Sequence, residues 1–272
     1  MTYWRGKRAV VTGGSAGLGR AIARSLAKEG VRVAIVARGQ EQLAAAAEEL
    51  RTIGGEVLPV TCDVTLQADV DRLAETVHTS WGGIDLLCHC AGRSMRGTAL
   101  GTSPDEYRSV WETNFLAAVR CAQSFADSLK ASNGHLVLVG SLASKVAAGY
   151  LGAYPASKFP LAAFAQQLRI ENTPQGFHTL LVCPGPIARP DDRGDNPRYS
   201  GQGGVLPDAA HRPGGGAKTR AIDPNELAAK ILRACESRRA ELIVPASARL
   251  LFIASQVSPR WGDWLLRKLT SG

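Results

Sequence analysis

Apolar residues gather in short, nearly continuous runs along this chain, separated by stretches in which they recur with helical spacing. The runs are Ala9-Val10-Val11-Thr12, Val31 to Val36, Val57 to Thr61, Ile84 to Cys88, His135 to Val139, Thr179 to Val182 and Glu241 to Val244. Each is short and bounded by polar or turn-forming residues, as strands are. After the first run, Ile22, Leu26 and Ala27 mark one face of a helix that runs to Gly30, a residue suited to closing a helix. Strand-like and helix-like segments alternate to the end of the last run. That alternation predicts an α/β fold, a doubly wound parallel sheet of about seven strands flanked by helices on both faces.

The pattern changes after Pro245. Leu250, Ile253, Ala254 and Val257 fall at i, i+3, i+4 and i+7, and beyond Pro259 the residues Trp261, Trp264, Leu265 and Leu269 continue an apolar face beside Arg260, Arg267 and Lys268. This predicts an amphipathic helical extension over 246–272, following a single domain over 1–245. Neither piece approaches the eighteen or more consecutive apolar residues of a spanning helix. Three roles are open to it: packing on the rim of a site, contact with a partner subunit, or peripheral contact with a membrane surface.

At 272 residues, 45% apolar and 21% charged, the chain suits one large domain with a substantial core. The net charge is +8, but basic residues are spread along the chain, with no arginine-rich helix and no aromatic platform among them, so no nucleic-acid partner is expected. An anionic cofactor, an anionic substrate and a membrane surface all suit that balance. Six cysteines lie mostly in apolar contexts, where a thiol behaves as a small hydrophobe. Cys88-His89-Cys90 places two sulfurs on one strand face and the imidazole on the other, without a second ligand pair, so no metal is expected. Met1 to Lys7 lacks the apolar core of a signal peptide, and a cytoplasmic location is expected.

Two segments carry candidate chemistry. Thr12-Gly13-Gly14-Ser15-Ala16-Gly17-Leu18-Gly19 joins the first strand to the first helix; glycines there permit a tight turn and let a pyrophosphate approach the positive end of the helix dipole. Tyr154 and Lys158 lie four residues apart on one helix face, with Ser141 at the mouth of the fifth strand. A free tyrosine has a pKa of about 10, and a neighbouring ammonium eases loss of its proton. The set reads as a proton donor, its tuner and an oxygen-binding hydroxyl. The second strand ends in Val36-Ala37-Arg38-Gly39. A neutral residue followed by arginine suits a 2′-phosphate better than two ribose hydroxyls, favouring NADP(H) over NAD(H).

With Asp63-Val64, Ala91-Gly92, Asn114 and Pro184-Gly185 falling in order between and after these motifs, the chain resembles the short-chain dehydrogenase/reductase superfamily, in its single-domain branch, over residues 7 to about 245. The resemblance implies a Rossmann-like fold and an oxidoreductase interconverting a ketone or aldehyde and an alcohol by hydride transfer. Tyr154 would be the general acid in reduction and the base in oxidation. Lys158 would lower its pKa and bind the nicotinamide ribose, Ser141 would orient the carbonyl, and Asn114 would hold a water in a proton relay. Gly13, Ser15, Ala16, Gly17, Leu18, Gly19, Arg38, Asp63, Val64, Ala91, Gly92, Pro184, Gly185 and Ile187 would join Tyr154 and Lys158 in holding the cofactor. Asp63 would contact the adenine amino group. A homodimer or homotetramer is implied as well.

The chain departs from the family pattern in places. His89-Cys90 stands where two asparagines are usual, removing hydrogen bonds to neighbouring strands; Arg189 stands near a position often held by threonine or serine; and Pro160 implies a kink or late start in the Tyr-Lys helix. The Gly- and Pro-rich segment 186–222 corresponds to a lid over the substrate. With the apolar tail, it points to a lipid-like, steroid-like or 3-oxo substrate. Two alternatives are a cofactor-binding redox sensor without turnover, which would more naturally have lost Tyr154 or Lys158, and a fold that mainly presents its tail to a membrane.

Overall fold

The computed structural model describes residues 2–172, 176–188, 206 and 220–270. Its centre is a seven-stranded sheet in the order β3-β2-β1-β4-β5-β6-β7, every pairing parallel. The strands are β1 (Arg8–Thr12), β2 (Arg32–Ala37), β3 (Val57–Thr61), β4 (Leu86–His89), β5 (His135–Val139), β6 (His178–Pro184) and β7 (Glu241–Val244). All seven apolar runs become strands, three with the same bounds and the others with ends shifted by at most two residues.

The two-residue period of a strand divides each run between two cores. Ala9 and Val11, Val33 and Ile35, Leu86 and Cys88, and Leu180 and Val182 face one side, where α1 (Gly17–Lys28), α2 (Gln40–Thr52) and α7 (Pro224–Glu236) pack. Val10, Ala34, Leu87, Leu136, Leu138 and Leu181 face the other. That side is covered by α3 (Gln67–Trp81), α5 (Ala117–Ala131) and α6 (Tyr154–Glu171). Burial on both faces is why the strands read as runs rather than alternations.

Local signals set the helix ends. Glu29 caps α1 and Gly30 follows at φ 75°, its N–H bonded to Ala27 C=O. Ser103 and Glu106 form a reciprocal cap at the start of α4 (Pro104–Trp111), and the Asp223 carboxylate accepts from the Asn225 and Glu226 N–H groups to start α7. The expected late start at Pro160 is not found. The helix begins at Tyr154, with Pro155 in its first turn, and runs on through Pro160. The prolines cluster within the first two turns, where few backbone donors are missed.

Beyond β7, α8 (Ala248–Val257) and α9 (Pro259–Thr270) form the extension. Phe252, Leu251 and Ala248 on α8 and Leu266 on α9 anchor it to the core. The spacing read from sequence selects the opposite stripe of α8: Leu250, Ile253 and Val257 are exposed. Of the segment 186–222, only its ends and Leu206, which is buried, fall among the described residues; Arg189 lies outside them.

At the sheet's opposite end from the glycine loop, a directed hydrogen-bond chain fixes two buried histidines. His178 Nε2 lies 2.8 Å from Arg239 C=O, so it carries the proton. His178 Nδ1 must then accept from His135 Nδ1 at 2.9 Å, and His135 Nε2 accepts from the Tyr3 hydroxyl at 2.7 Å. Cys235 lies close to both rings, but all four ring nitrogens are engaged. Trp4, buried beside them, donates to Glu236 at 2.7 Å.

Burial, with the charge of nearby groups, pushes His135 down to about 3, and burial followed by the Lys158 charge does the same to His89. His178 is also lowered, chiefly by burial. The unfolded chain gains protons at these sites below about pH 6.5 and the folded chain does not, so stability present above that pH is lost as pH falls toward about 3. Thermal unfolding followed by circular dichroism should show a loss of roughly 2 kcal/mol for each of His89 and His135 between about pH 6.5 and 5. His89→Asn should flatten part of the slope; a profile unchanged by the substitution would contradict this.

Candidate active site

Connections from β1 lead toward β2 and those from β4 toward β5, so a crevice opens where the two strands diverge, at their C-terminal ends. A cleft of about 1900 Å³ lies there. Every site residue named from the sequence lines it except Asn114, which is buried behind it.

The glycine loop fits a dinucleotide for steric reasons. A Cβ on Gly19 would lie 2.2 Å from the Gly13 carbonyl oxygen, and one on Gly13 would lie 3.1 Å from Ala91 N. Gly17 has φ 51° and nothing within 4 Å of a Cβ position, so space is open in front of the first turn of α1. That turn has no side-chain cap, leaving its N–H groups to face the cleft. Gly14, not singled out from the sequence, is equally constrained, since its Cβ would lie 2.8 Å from Val11 C=O.

Thr12 ties the crevice together. Its hydroxyl accepts from Cys90 N–H at 3.1 Å and Ala91 N–H at 3.2 Å, leaving its own proton for His89 Nδ1 at 3.1 Å. Thus His89 restores a link between β1 and β4 that the missing asparagine had put in question. His89 Nε2 is buried without a partner among the described residues.

At the β2 end of the cleft, Arg38 is 76% exposed and its guanidinium lies 3.9 Å from the Asp63 carboxylate. Burial raises Asp63, but hydrogen bonds from the Thr65 hydroxyl and N–H, with the Arg38 charge, outweigh it and hold the carboxyl below its usual value. Asp63 does not cap α3, whose N-cap is Leu66.

At the other end, Ser141 follows β5 and accepts from Ala143 N–H at 3.1 Å, so the hydroxyl proton is not used in that bond. Tyr154 opens α6, and Lys158 follows one turn later. The Lys158 ammonium donates to Val139 C=O at 2.9 Å. Burial lowers its pKa to about 8, against the opposing pull of Cys90 and Cys183. A Cβ on Gly92 would lie 2.9 Å from Asn114 Oδ1 and 3.4 Å from the ammonium, so glycine is what allows these groups to converge.

Asn114 lies in a π-helical turn, Glu112–Leu116, between α4 and α5, a widened turn common at functional sites. Its amide accepts from Arg93 N–H at 2.7 Å and donates to Arg93 C=O and to Ser157 Oγ, both at 2.8 Å. Ser157 in turn donates to Tyr154 C=O at 2.7 Å. Ser157 was not singled out from the sequence; its signal was a polar residue within the same turn that carries Tyr154 and Lys158.

A family model described as short chain dehydrogenase matches residues 7–197, and the chain belongs to that family. It is similar to the ketoacyl reductase HetN of a Nostoc species, with 29% identity over 278 residues that cover 98% of this chain and 90% of that protein. Among solved structures, a variant of actinorhodin polyketide ketoreductase with NADPH has 29% identity and a TM-score of 0.76, over 90% of this chain and 97% of that one. A short chain dehydrogenase/reductase of Burkholderia phymatum with NAD has a TM-score of 0.82 at 23% identity, over 96% of each chain, a likeness of fold. The chain is therefore an oxidoreductase of the carbonyl/alcohol pair that uses a nicotinamide dinucleotide.

Gly19→Ala should weaken NADPH binding at least about tenfold and destabilise the fold by roughly 1–3 kcal/mol, through overpacking against Gly13. Gly39→Ala, whose nearest contact is 4.0 Å away, should do neither. Nicotinamide fluorescence titration and thermal unfolding of both variants make the comparison.

Proposed function

We propose that this protein is an NADPH-dependent reductase of an apolar ketone or aldehyde, running in reverse as an alcohol dehydrogenase. The observation that carries it is the meeting of Ser141, Tyr154 and Lys158 with the glycine loop along one cleft. Gly13, Ser15, Ala16, Gly17, Leu18 and Gly19 hold the pyrophosphate end of the cofactor and Ala91, Gly92, Pro184, Gly185 and Ile187 the nicotinamide half, with Asp63 and Val64 at the adenine. When bound, the cofactor supplies or accepts a hydride. Tyr154 gives its phenolic proton to the substrate oxygen in reduction and recovers it in oxidation, and Ser141 holds that oxygen by a hydrogen bond.

Lys158 keeps positive charge beside the phenol, and Asn114, locked by Arg93 and Ser157, holds the π turn in place for a water relay. Arg38, exposed at the end of β2 with neutral Ala37 before it, favours NADPH by gripping the 2′-phosphate. An apolar substrate is supported by the outer wall, which includes Val146, Leu151, Leu251, Leu265 and Leu266. Residues 1–245 form the catalytic unit with its lid over 186–222, residues 246–272 its extension, and the working assembly is a homodimer or homotetramer.

Tyr154→Phe should bind NADPH within about twofold of the parent while turnover falls at least about a hundredfold; turnover near the parent's would overturn the mechanism. Arg38→Ala should weaken NADPH by about tenfold more than NADH, corresponding to loss of a charge-assisted contact of roughly 1.5 kcal/mol. Equal losses would remove the assigned preference. Steady-state rates with ketones from short-chain to steroid-sized test the substrate class, with rates expected to rise with apolar size.

A further inference from the structure

Leu250, Ile253 and Val257 on α8, and Trp261, Trp264 and Leu269 on α9, are all between 46% and 72% exposed. They form one pattern. On α8 they lie opposite Leu251 and Phe252, which hold the helix to the core. α9 folds back over α8, with Gly262 seated so closely that a Cβ there would lie 2.7 Å from Ser255 Cα. Counting outward from that contact sets Trp264 across from Ile253, with Trp261 and Val257 at the turn. At the other end Leu250 and Leu269 belong to the wall of the cleft that contains Tyr154 and Ser141. Exposed apolar residues therefore follow one another in a row along the two helices, from the turn to the mouth of the cleft.

Its charge is one-sided. Arg249, Arg260, Arg267 and Lys268 are exposed around it, with Asp263 the one carboxylate on the two helices. The Lys268 ammonium lies 5.2 Å from the centre of the Trp264 ring. No described helix is long and apolar enough to cross a membrane, so the pair suits lying along a bilayer. Two copies apposed through this face would set cations against cations. Anionic headgroups complement them, and tryptophan favours the depth at which headgroups meet acyl chains.

We propose that α8 and α9 dock on an anionic lipid bilayer through this row, bringing the mouth of the cleft to the membrane so that an apolar carbonyl substrate enters from it. Substrate entry rests on the apolar-substrate reading above; docking does not. The test is sedimentation of the full chain with phosphatidylglycerol–phosphatidylcholine vesicles and with pure phosphatidylcholine vesicles, at low and high salt. NADPH titration serves as a check on folding.

The parent should bind the anionic vesicles more strongly, and salt should weaken that binding. Trp261→Ser with Trp264→Ser should lower the partition coefficient at least about tenfold, and Arg267→Glu or Lys268→Glu at least about fivefold each, with NADPH binding kept. Equal binding to both vesicles, or to neither, would overturn the proposal. So would a dimer in solution that the tryptophan substitutions dissociate, since the row would then join two copies. Vesicle binding without turnover of any apolar ketone would overturn the substrate reading and leave docking intact.

Discussion

The hydroxyl of Thr12 joins the two strands between which the cleft opens, and the arrangement of the site follows from that junction. Sheet connections run away from β1 on one side and from β4 on the other, so nothing in the topology closes the gap at their ends. One oxygen accepts two backbone N–H groups from Cys90 and Ala91 and donates to His89. This sets the glycine loop against Ala91-Gly92 so closely that a side chain on Gly13 would press on the Cys90-Ala91 backbone. The glycine loop and Ala91-Gly92, distant in sequence, are thereby brought into one wall of the cleft, on a scaffold buried on both faces.

Behind that wall the polar groups are satisfied in a fixed order. Asn114 spends its amide on Arg93 and Ser157, Ser157 reaches the Tyr154 carbonyl, and Lys158 reaches Val139. An isolated buried ammonium is expensive, and here burial has lowered the lysine without taking its pKa below about 8. The charge is retained near neutrality on a buried side chain, where its field on its neighbours is less screened.

Much of this was legible in the sequence, for identifiable reasons. Fully buried parallel strands leave apolar runs that no other element mimics as well, and a loop pressed against backbone leaves glycines at fixed spacing. What was not legible depends on contacts across the chain. Ser157 gains its role from Asn114, 43 positions away in sequence. His89 takes over a link to Thr12 that residue type alone argued against. On α8, both faces carry apolar residues, so spacing alone left open which stripe meets the core: Leu251 and Phe252 do, and Leu250, Ile253 and Val257 stay exposed. Of the kink or late start read from Pro160, the late start fails because Tyr154 already opens the helix.

The bridge between Ile187 and Ile222 has a wider consequence. Ala188 N–H bonds to Ile222 C=O and Ile222 N–H to Pro186 C=O, both at 2.8 Å, so the chain leaves the scaffold and rejoins it at one clamped point. Once such a clamp is set, the entropy of the enclosed segment grows slowly with its length, about 0.6 kcal/mol for each doubling. A change of chain length between the two clamped ends therefore costs the β6 and α7 framework little.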